Sequence, residues 1–193
     1  MSRFALSLLV TLLLAASAAA QVDTWQLDPA HSAAQFSVRH MGISTIRGTF
    51  TKVSGTIQYD PTAPAKSSVD VTIDAASVDS RVEMRDNDLR SAKFLDVEKY
   101  PTITFKSKRV ESAGAGKLKV TGDLTIHGAT KEAVLDVDGP SPPIKDMQGN
   151  PRMGASATTT INRRDFGVSN YPAAVVGEDL AITIDVEMVK PKN

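Results

Sequence analysis

The sequence predicts an all-β domain of about eight to ten short strands with one short helix, folded as a barrel or as a sandwich. Three observations predict it. Apolar and polar residues alternate with the period of a strand along most of the chain. Turn-forming residues separate these alternating segments. One segment alone, residues 80–94, lacks the alternation. With no internal repeat and no linker, we expect a single domain.

The first half of the chain contains five predicted strands. Trp25 and Leu27 lie just before a turn at Asp28-Pro29, and a second turn is predicted at Asp60-Pro61. Because successive strand residues face opposite sides, each strand should have one buried and one solvated face. The later strands of this half are predicted at residues 36–40, 46–50, 53–59 and 69–75.

The second half contains four more predicted strands, and the last one has the clearest alternation. They begin near Ile103 and cover residues 118–126, 134–137 and 180–188. Gly122 lies in the middle of one of them, where a glycine suits a bend or a bulge in a curved sheet. The proline-rich segment 139–151 predicts the longest loop, which we expect at the surface.

The segment 80–94 predicts the helix. Ser80 and Glu83 have the spacing of a capping box, and the helix should end before Tyr100-Pro101. A single helix on a closed barrel would serve as a lid or plug at one end. Its many arginines and aspartates have two interpretations, a solvated face with i, i+4 ion pairs or a polar gate beside a cavity mouth.

The first twenty residues predict a signal for export. A basic start at Arg3 precedes an apolar run over residues 4–16, and Ala18-Ala19-Ala20 offers small residues for cleavage. The apolar run is short for a bilayer span, although a retained anchor is the alternative. We therefore expect a soluble mature chain from Gln21 onward, located in the periplasm or secreted.

Composition excludes several function classes. Removing Arg3 with the signal changes the formal net charge from 0 to −1, so we expect no sequence-wide attraction to nucleic acid or to an anionic membrane. The absence of cysteine excludes disulfides, thiolate metal sites and cysteine nucleophiles. The fold must therefore depend on its core and its hydrogen-bond ladders.

Motif searches predict no catalytic residues, no catalytic cofactor and no metal site. His31, His40 and His127 lack the spacing of a helical zinc site, although three strand ends could still converge on an ion. Neither a Gly-x-Ser-x-Gly elbow nor a phosphate-binding glycine loop is present. The segment 163–167, Arg-Arg-Asp-Phe-Gly, is either a strand end with an aromatic anchor or a polar contact for a ligand.

An ordered set of motifs along residues 25–189 resembles the YceI-like, polyisoprenoid-binding family. The motifs are Trp25-x-Leu27-Asp28-Pro29-x-His31-Ser32, Phe36-Ser37-Val38-x-His40-Met41-Gly42-Ile43, Gly48-x-Phe50, Arg85-Asp86-x-x-Leu89-Arg90-Ser91, Tyr100-Pro101-x-Ile103-x-Phe105-x-Ser107, Gly122-x-Leu124-Thr125-Ile126-His127-Gly128 and Arg164-x-Phe166-Gly167. Each motif alone is weak, but the ordered set is specific and covers nearly all of the mature chain.

The resemblance implies a closed, antiparallel, lipocalin-like β-barrel with an elongated apolar cavity. It also implies an exported binder of isoprenoid lipids, including isoprenoid quinones, without a defined catalytic reaction. One departure from the family concerns Asp88, where members often carry a histidine. An anion therefore replaces a possible cation on the helix.

Two groups of residues are our predicted ligand contacts. The apolar group would line or floor the cavity, and the alternative role of each member is plain core packing. It consists of Phe36, Val38, Phe50, Ile103, Phe105, Leu124 and Ile126. The polar group would contact the head group of a ligand at the rim of the cavity, and its alternative role is to bond the helix to the barrel. It consists of His40, Arg85, Asp86, His127 and Arg164.

The sequence therefore predicts a non-catalytic, exported protein that transports or stores a polyisoprenoid or an isoprenoid quinone as its bound ligand. An enzyme of isoprenoid or quinone metabolism is one alternative, and a stress-related interaction module with a filled barrel is another. We expect transient contact with a membrane and no nucleic-acid partner. Pairing of two copies into a homodimer would also shield an apolar mouth.

Overall fold

The computed structural model describes residues 22–191, which form a closed antiparallel β-barrel of eight strands with one short α-helix. Four 3-10 helices of three or four residues also occur, at Pro29–His31, Pro64–Lys66, Ala75–Ser77 and Arg163–Phe166. The predicted export signal, residues 1–20, lies outside the described residues. The strands of the ring and its edge are β1 (Asp23–Leu27), β2 (Ala33–His40), β3 (Ser44–Phe50), β4 (Val53–Tyr59), β5 (Ser68–Asp74), β6 (Val78–Asp79), β7 (Thr102–Ser112), β8 (Lys117–Ile126), β9 (Ala129–Asp138), β10 (Ile144–Lys145), β11 (Pro151–Asn162) and β12 (Val176–Val189).

The last strand closes the barrel. One edge of β12 pairs with β11 from Arg152↔Val189 to Asn162↔Asp179. The other edge pairs with β2 and then, at its far end, with β1. Strands β1 and β2 together form one bent strand of the barrel, and β3 and β4 form another. From β4, the next strands around the barrel are β5, β7, β8, β9 and β11. Closure removes the open edges that would otherwise expose unpaired backbone groups.

The nine strands predicted from alternation are all present. The barrel, and not the sandwich, is the correct alternative. The alternation did not indicate β11, although this long strand is one of the two that close the ring. Its inward positions include Ala155, Ala157 and Thr159, which are too small or too polar to produce an apolar alternation.

Gly122 lies at an irregular point of the sheet, as its position in the sequence predicted. The pairing of β7 with β8 shifts between Ser107 and Arg109, directly beside Ser107↔Gly122. A Cβ atom at position 122 would lie 2.5 Å from the Lys106 carbonyl oxygen and 2.7 Å from Cζ of Phe105. The bulge itself therefore belongs to β7, and the glycine lets that strand approach closely.

The helix is shorter than predicted. Helix α1 spans Glu83–Arg90, its N-cap is Val82, and no side chain caps it, so the predicted capping box is wrong. Ser80 lies too far ahead of the helix to cap it, because β6 pairs with β3 up to Asp79↔Thr49 and Arg81 then turns the chain with a φ of 64°. Among residues 22–191, no helix is long and apolar enough to cross a membrane.

Candidate ligand cavity

The barrel interior holds a cavity of about 190 Å³, which we call the inner compartment. Its lining is predominantly apolar because the inward positions of the strands carry Val, Ile, Leu and Phe. The lining includes Val71, Ile73, Phe105, Val120, Leu124, Leu135, Ala157, Ile184, Val186 and Met188. At one side of the barrel the core is filled, where Trp25, Leu27, Ile57, Met153 and Met188 pack together.

Small residues keep the interior hollow. Ala155 and Ala157 face the inner compartment from β11, where larger side chains would fill the lumen. Two phenylalanine rings lie close to the barrel wall, over glycines of the neighbouring strand: a Cβ at Gly48 would overlap the Phe36 ring, and one at Gly122 would lie 2.7 Å from Phe105 Cζ. The wall therefore accommodates these aromatic rings, and lumen volume remains for a guest.

A second cavity of about 290 Å³, the outer compartment, continues from the inner one. It extends to the end of the barrel that α1 covers. The six residues that line both cavities are Phe36, Phe50, Ile103, Ile126, Ile161 and Ile182. We interpret the two compartments as one elongated cavity with an apolar waist.

The polar residues that line the inner compartment, such as Gln35, Thr104 and Thr159, are uncharged, whereas the outer compartment and its mouth add charged side chains, a histidine and a tyrosine. They are Arg39, His40, Arg85, Asp88, Arg163 and Tyr171. Most of them already have partners in the protein. Arg85, for example, donates from Nε to Ser80 Oγ over 2.7 Å and from Nη2 to the Ser80 carbonyl over 2.7 Å.

Two segments meet over the mouth of the outer compartment: α1 with the turn after it, and the loop 167–175. The Tyr171 ring stacks on Phe94 with 5.1 Å between ring centres, and its hydroxyl donates to Asp88 Oδ2 over 3.1 Å. Nδ2 of Asn170 donates to the Lys93 carbonyl over 2.9 Å. The predicted lid is therefore present, and side-chain contacts hold it against the loop.

A buried arginine fixes the base of that loop. Arg163 is 5% exposed and donates to the carbonyls of Val168, Tyr171, Val176 and Gly177 over 2.6 to 3.0 Å. Burial lowers the pKa of its guanidinium. Neutral carbonyls satisfy the donors of this cation, which holds the loop beside the lid.

All seven predicted apolar residues line the cavity. Phe36, Phe50, Ile103 and Ile126 lie at the waist, Phe105 and Leu124 line the inner compartment, and Val38 lines the outer one. Of the predicted polar residues, His40 and Arg85 line the outer compartment. Contact of any of them with a ligand stays a prediction.

The other three predicted polar residues lie outside the cavity lining and have structural partners instead. Asp86 is buried and accepts from the backbone N–H of Ser80 over 2.8 Å and from its hydroxyl, which ties α1 to the end of β6. The His127 Nδ1 donates to the Phe166 carbonyl over 3.2 Å. Arg164 forms a surface ion pair with Glu178 over 2.5 Å.

Sequence reasoning missed three features of the site. Asp88 appeared only as a departure from a family pattern, and its partner Tyr171 carried no signal because the two are distant in the chain. Arg163 stands beside the predicted Arg164, but only the structure shows which arginine is buried. In the segment 163–167, Arg163–Phe166 is a short 3-10 helix after β11 and not a strand end, with Phe166 as a buried aromatic anchor that lines the outer compartment; contact of its polar residues with a ligand stays a prediction.

A separate polar cluster lies on the outside of the barrel. Oxygen or nitrogen atoms of Asp28, His31 and Glu187 lie within 4.8 Å of one another, the one such group of potential metal ligands among residues 22–191. The Arg152 guanidinium already bonds Asp28 over 2.5 Å and Glu187 over 3.1 Å. The bonds that Asp28 receives from Arg152 and His31 lower the pKa of its carboxyl to about 2.

A closed eight-stranded antiparallel barrel with an apolar lumen and a helical lid defines a lipocalin-like binding barrel. The sequence comparison then assigns the family. A model of the YceI-like domain matches residues 25–188, and the chain belongs to the YceI-like family.

Two curated relatives carry the name UPF0312 protein. One from Pseudomonas putida is 38% identical over 192 residues, which cover 97% of this chain and 96% of the relative. One from Vibrio cholerae is 44% identical over 141 residues, which cover 72% of this chain and 73% of the relative.

Solved structures share the fold. Burkholderia cenocepacia BcnA superposes with a TM-score of 0.74 at 25% identity, covering 83% of this chain and 98% of that one. The Campylobacter jejuni YceI protein gives 0.71 at 35% identity, covering 80% and 90%. A domain from Saccharophagus degradans described as polyisoprenoid-binding gives 0.65 at 17% identity, covering 89% and 100%, a likeness of fold alone.

Proposed function

We propose that this chain is an exported, non-catalytic protein that holds a polyisoprenoid or an isoprenoid-quinone-like amphiphile in its barrel, for transport or storage. The observation that carries the proposal is the elongated apolar cavity inside the closed barrel. Ligand pockets usually enclose roughly 300 to 1,000 Å³. The outer compartment alone, at about 290 Å³, is close to that range, and the inner compartment extends it. A filled interaction module does not fit these cavities.

A hydrocarbon tail suits this cavity energetically. Burying hydrocarbon contributes about 0.8 kcal/mol per CH₂ group, so a few isoprene units would offset the several kcal/mol lost on ordering the ligand. A bilayer offers the tail the same apolar refuge. Transfer between bilayer and barrel should therefore be close to balanced, which suits a carrier that must also release its cargo.

The polar residues of the outer compartment support a binding role over a catalytic one. Arg163 donates to backbone carbonyls, Arg85 donates to Ser80, and Asp88 accepts from Tyr171 and Lys93. A general acid or base must reach a reacting group, whereas these groups already have partners within the protein. His40, half-buried in the outer compartment, is our strongest candidate for contact with a head group.

The ligand class rests on the family and on one neighbour. The Saccharophagus degradans domain named as polyisoprenoid-binding has the same barrel fold, and the family motifs of our chain lie around the cavity. We further propose that residues 1–20 direct export and that the mature chain works in the periplasm or after secretion. Intact mass of protein from the periplasmic fraction tests this directly, because cleavage after Ala20 would leave Gln21 at the amino terminus.

The first experiment is organic extraction of the purified protein, followed by mass spectrometry of the extract. We expect an amphiphile with an isoprenoid tail in stoichiometric amount. The stripped protein should then take up a fluorescent prenyl probe. An extract without any amphiphile, combined with failure to take up the probe, would contradict the proposal.

Substitutions in the barrel test whether the probe binds in its lumen. Phe105→Asp places a charge in the inner compartment and should abolish uptake, whereas Val134→Asp makes the same kind of change on the outer wall and should not. Because a buried charge can prevent folding, Ala157→Phe provides a second route, filling the lumen with an apolar ring. Normal probe uptake by folded Ala157→Phe and Phe105→Asp proteins would exclude this lumen as the binding site.

Incubation with prenyl alcohols, prenyl diphosphates and quinones, followed by product analysis, tests the enzymatic alternative. We expect each compound to be recovered unchanged. Conversion that the Ala157→Phe substitution abolishes would replace the carrier proposal with an enzyme of isoprenoid or quinone metabolism.

A further inference from the structure

Four large apolar side chains are exposed at the lid end of the barrel, and we call them the rim patch. Ile43 is 80% exposed, Met41 57%, Met84 83% and Val82 46%. Exposing four large apolar side chains to water within two short segments is unfavourable in free energy. Exposed apolar surface of this kind often marks a contact with another molecule.

Both segments of the rim patch border the outer compartment. Met41 and Ile43 form the turn between β2 and β3, and His40 and Ile46 on either side of that turn line the compartment. Met84 immediately precedes Arg85, which also lines it. The patch therefore flanks the mouth of the cavity in which the function proposed above places a lipid.

The Met41–Ile43 turn is held by hydrogen bonds. The Met41 N–H donates to the Val175 carbonyl over 2.9 Å, and the Ile43 N–H donates to the His40 carbonyl over 3.1 Å. Arg39 bonds the Gly42 carbonyl over 2.6 Å and Thr45 Oγ1 over 2.9 Å. The fold thus presents these apolar side chains to solvent on a fixed turn.

Positive charge surrounds the rim patch. Segments 39–47 and 81–85 together carry four arginines and one glutamate, although the whole chain has a formal net charge of 0. Within residues 22–191, no carboxylate oxygen lies within 4.0 Å of a guanidinium nitrogen of Arg39, Arg47 or Arg81. Within segments 39–47 and 78–85 the exposed acids are Asp79 and Glu83, against four arginines, so these segments carry a net positive charge.

We infer that the rim patch docks this protein on the surface of a bilayer rich in anionic phospholipid. Apolar side chains would enter the interface while the arginines contact the anionic head groups, the two attractions that hold peripheral proteins on membranes. A second copy of the chain fits less well, because a symmetric dimer over this patch would bring like arginines together. Docking here would hold the outer compartment next to its source of lipid.

Vesicle flotation tests the inference with matched variants. The wild-type protein is compared with Ile43→Ser/Met84→Ser and with Ile144→Ser/Met147→Ser. The control pair changes equally exposed apolar residues away from the lid, 68% and 98% exposed. Vesicles contain either phosphatidylcholine alone or an equal mixture with phosphatidylglycerol. Intact mass first establishes that residues 1–20 are gone, because an apolar leader would itself bind bilayers.

We expect the wild type and the control pair to float with the anionic vesicles, and the Ile43/Met84 variant to lose at least about tenfold in partitioning. Raising the salt concentration, or substituting Arg47→Gln/Arg81→Gln, should weaken the wild-type interaction. Absence of wild-type flotation, or equal flotation of all three proteins, would overturn the inference. A wild-type dimer that only the rim substitutions dissociate, without flotation, would assign the patch to a second copy.

Probe uptake from solution is measured on the same proteins and keeps the two proposals separate. Flotation without any uptake would retain the docking surface and reject the lipid cargo. Uptake without flotation would retain the lipid cargo and reject the docking surface.

Discussion

The Tyr171 hydroxyl donates a hydrogen bond to the Asp88 carboxylate over 3.1 Å at the mouth of the outer compartment. The two residues belong to the loop 167–175 and to helix α1, and together with the Phe94–Tyr171 stack they hold the lid in place. Lys93 Nζ, 3.2 Å from the other oxygen of Asp88, neutralises the carboxylate. A ligand entering by this route must part these contacts.

Tyr171→Phe should speed the exchange of a bound prenyl probe. The substitution removes one hydrogen bond to a partly exposed carboxylate, worth about 1 kcal/mol, and keeps the aromatic stack. We expect the dissociation rate of the probe to rise about fivefold in stopped-flow measurements, with little change in thermal stability. Asp88→Asn, which retains an acceptor oxygen, should cause a smaller increase. An unchanged rate in both variants would show that the probe leaves by another route.

Gly122→Ala should destabilise the barrel. Its Cβ would lie 2.5 Å from the Lys106 carbonyl oxygen and 2.8 Å from the Ser107 Cα, and backbone atoms in a ladder cannot move aside easily. We expect a loss of about 2 kcal/mol in the free energy of unfolding, measured in urea.

Gly154→Ala is the matched control, because its nearest neighbour, the Val186 carbonyl oxygen, would be 3.4 Å from the new Cβ. It should change the free energy of unfolding by less than about 1 kcal/mol. Equal losses in the two variants would contradict the close approach of β7 at position 122.

Arg163→Lys should cost far more stability than Arg164→Lys. The buried guanidinium of Arg163 donates hydrogen bonds to four carbonyls in fixed directions, and the single ammonium group of a lysine cannot reach all of them. We expect a loss of about 2 kcal/mol in the free energy of unfolding, together with faster probe release as the loop 167–175 loosens. Arg164→Lys alters only an exposed ion pair and should cost at most about 0.5 kcal/mol. The opposite ranking would contradict the burial of Arg163.

Acid should weaken the fold through Asp28. Bonds from Arg152 and His31 lower its folded-state pKa from 3.8 to about 2. A depressed pKa contributes stability that is complete above the ordinary value and is lost as pH falls through the folded-state value. The free energy of unfolding should therefore decline between pH 3.8 and about 2.

Urea unfolding at a series of acidic pH values measures this decline. Asp28→Asn should reduce its slope in that range, whereas Glu98→Gln, an exposed carboxylate at the other end of the barrel, serves as the control. The same slope in wild type and Asp28→Asn would exclude Asp28 as a source of the pH dependence. The pKa of Asp146 is also lowered, mainly by Arg152, so part of the slope should survive in the variant.

Alternation predicted most strands because an antiparallel barrel has one apolar and one solvated face along every strand. It failed for β11, whose inward positions at Ala155, Ala157 and Thr159 leave the lumen open. The hollowness of the barrel and the missed strand thus have the same cause. The helix boundary failed for a different reason: Ser80 follows the paired strand β6, the chain turns at Arg81 before α1, and the Ser80 hydroxyl bonds the side chains of Asp86 and Arg85 instead of capping the helix.

The sequence by itself determined which residues are apolar and at which period they recur, and this was enough for an all-β fold with one short helix. The choice of a closed barrel and the expectation of a cavity came from the family resemblance. Only the tertiary structure decided which polar residues reach the cavity. Asp86, His127 and Arg164 share motifs with cavity residues, but their side chains bond elsewhere. Polar contacts such as Tyr171 with Asp88 join residues far apart in the chain, and closure of the ring, not local periodicity, brings them together.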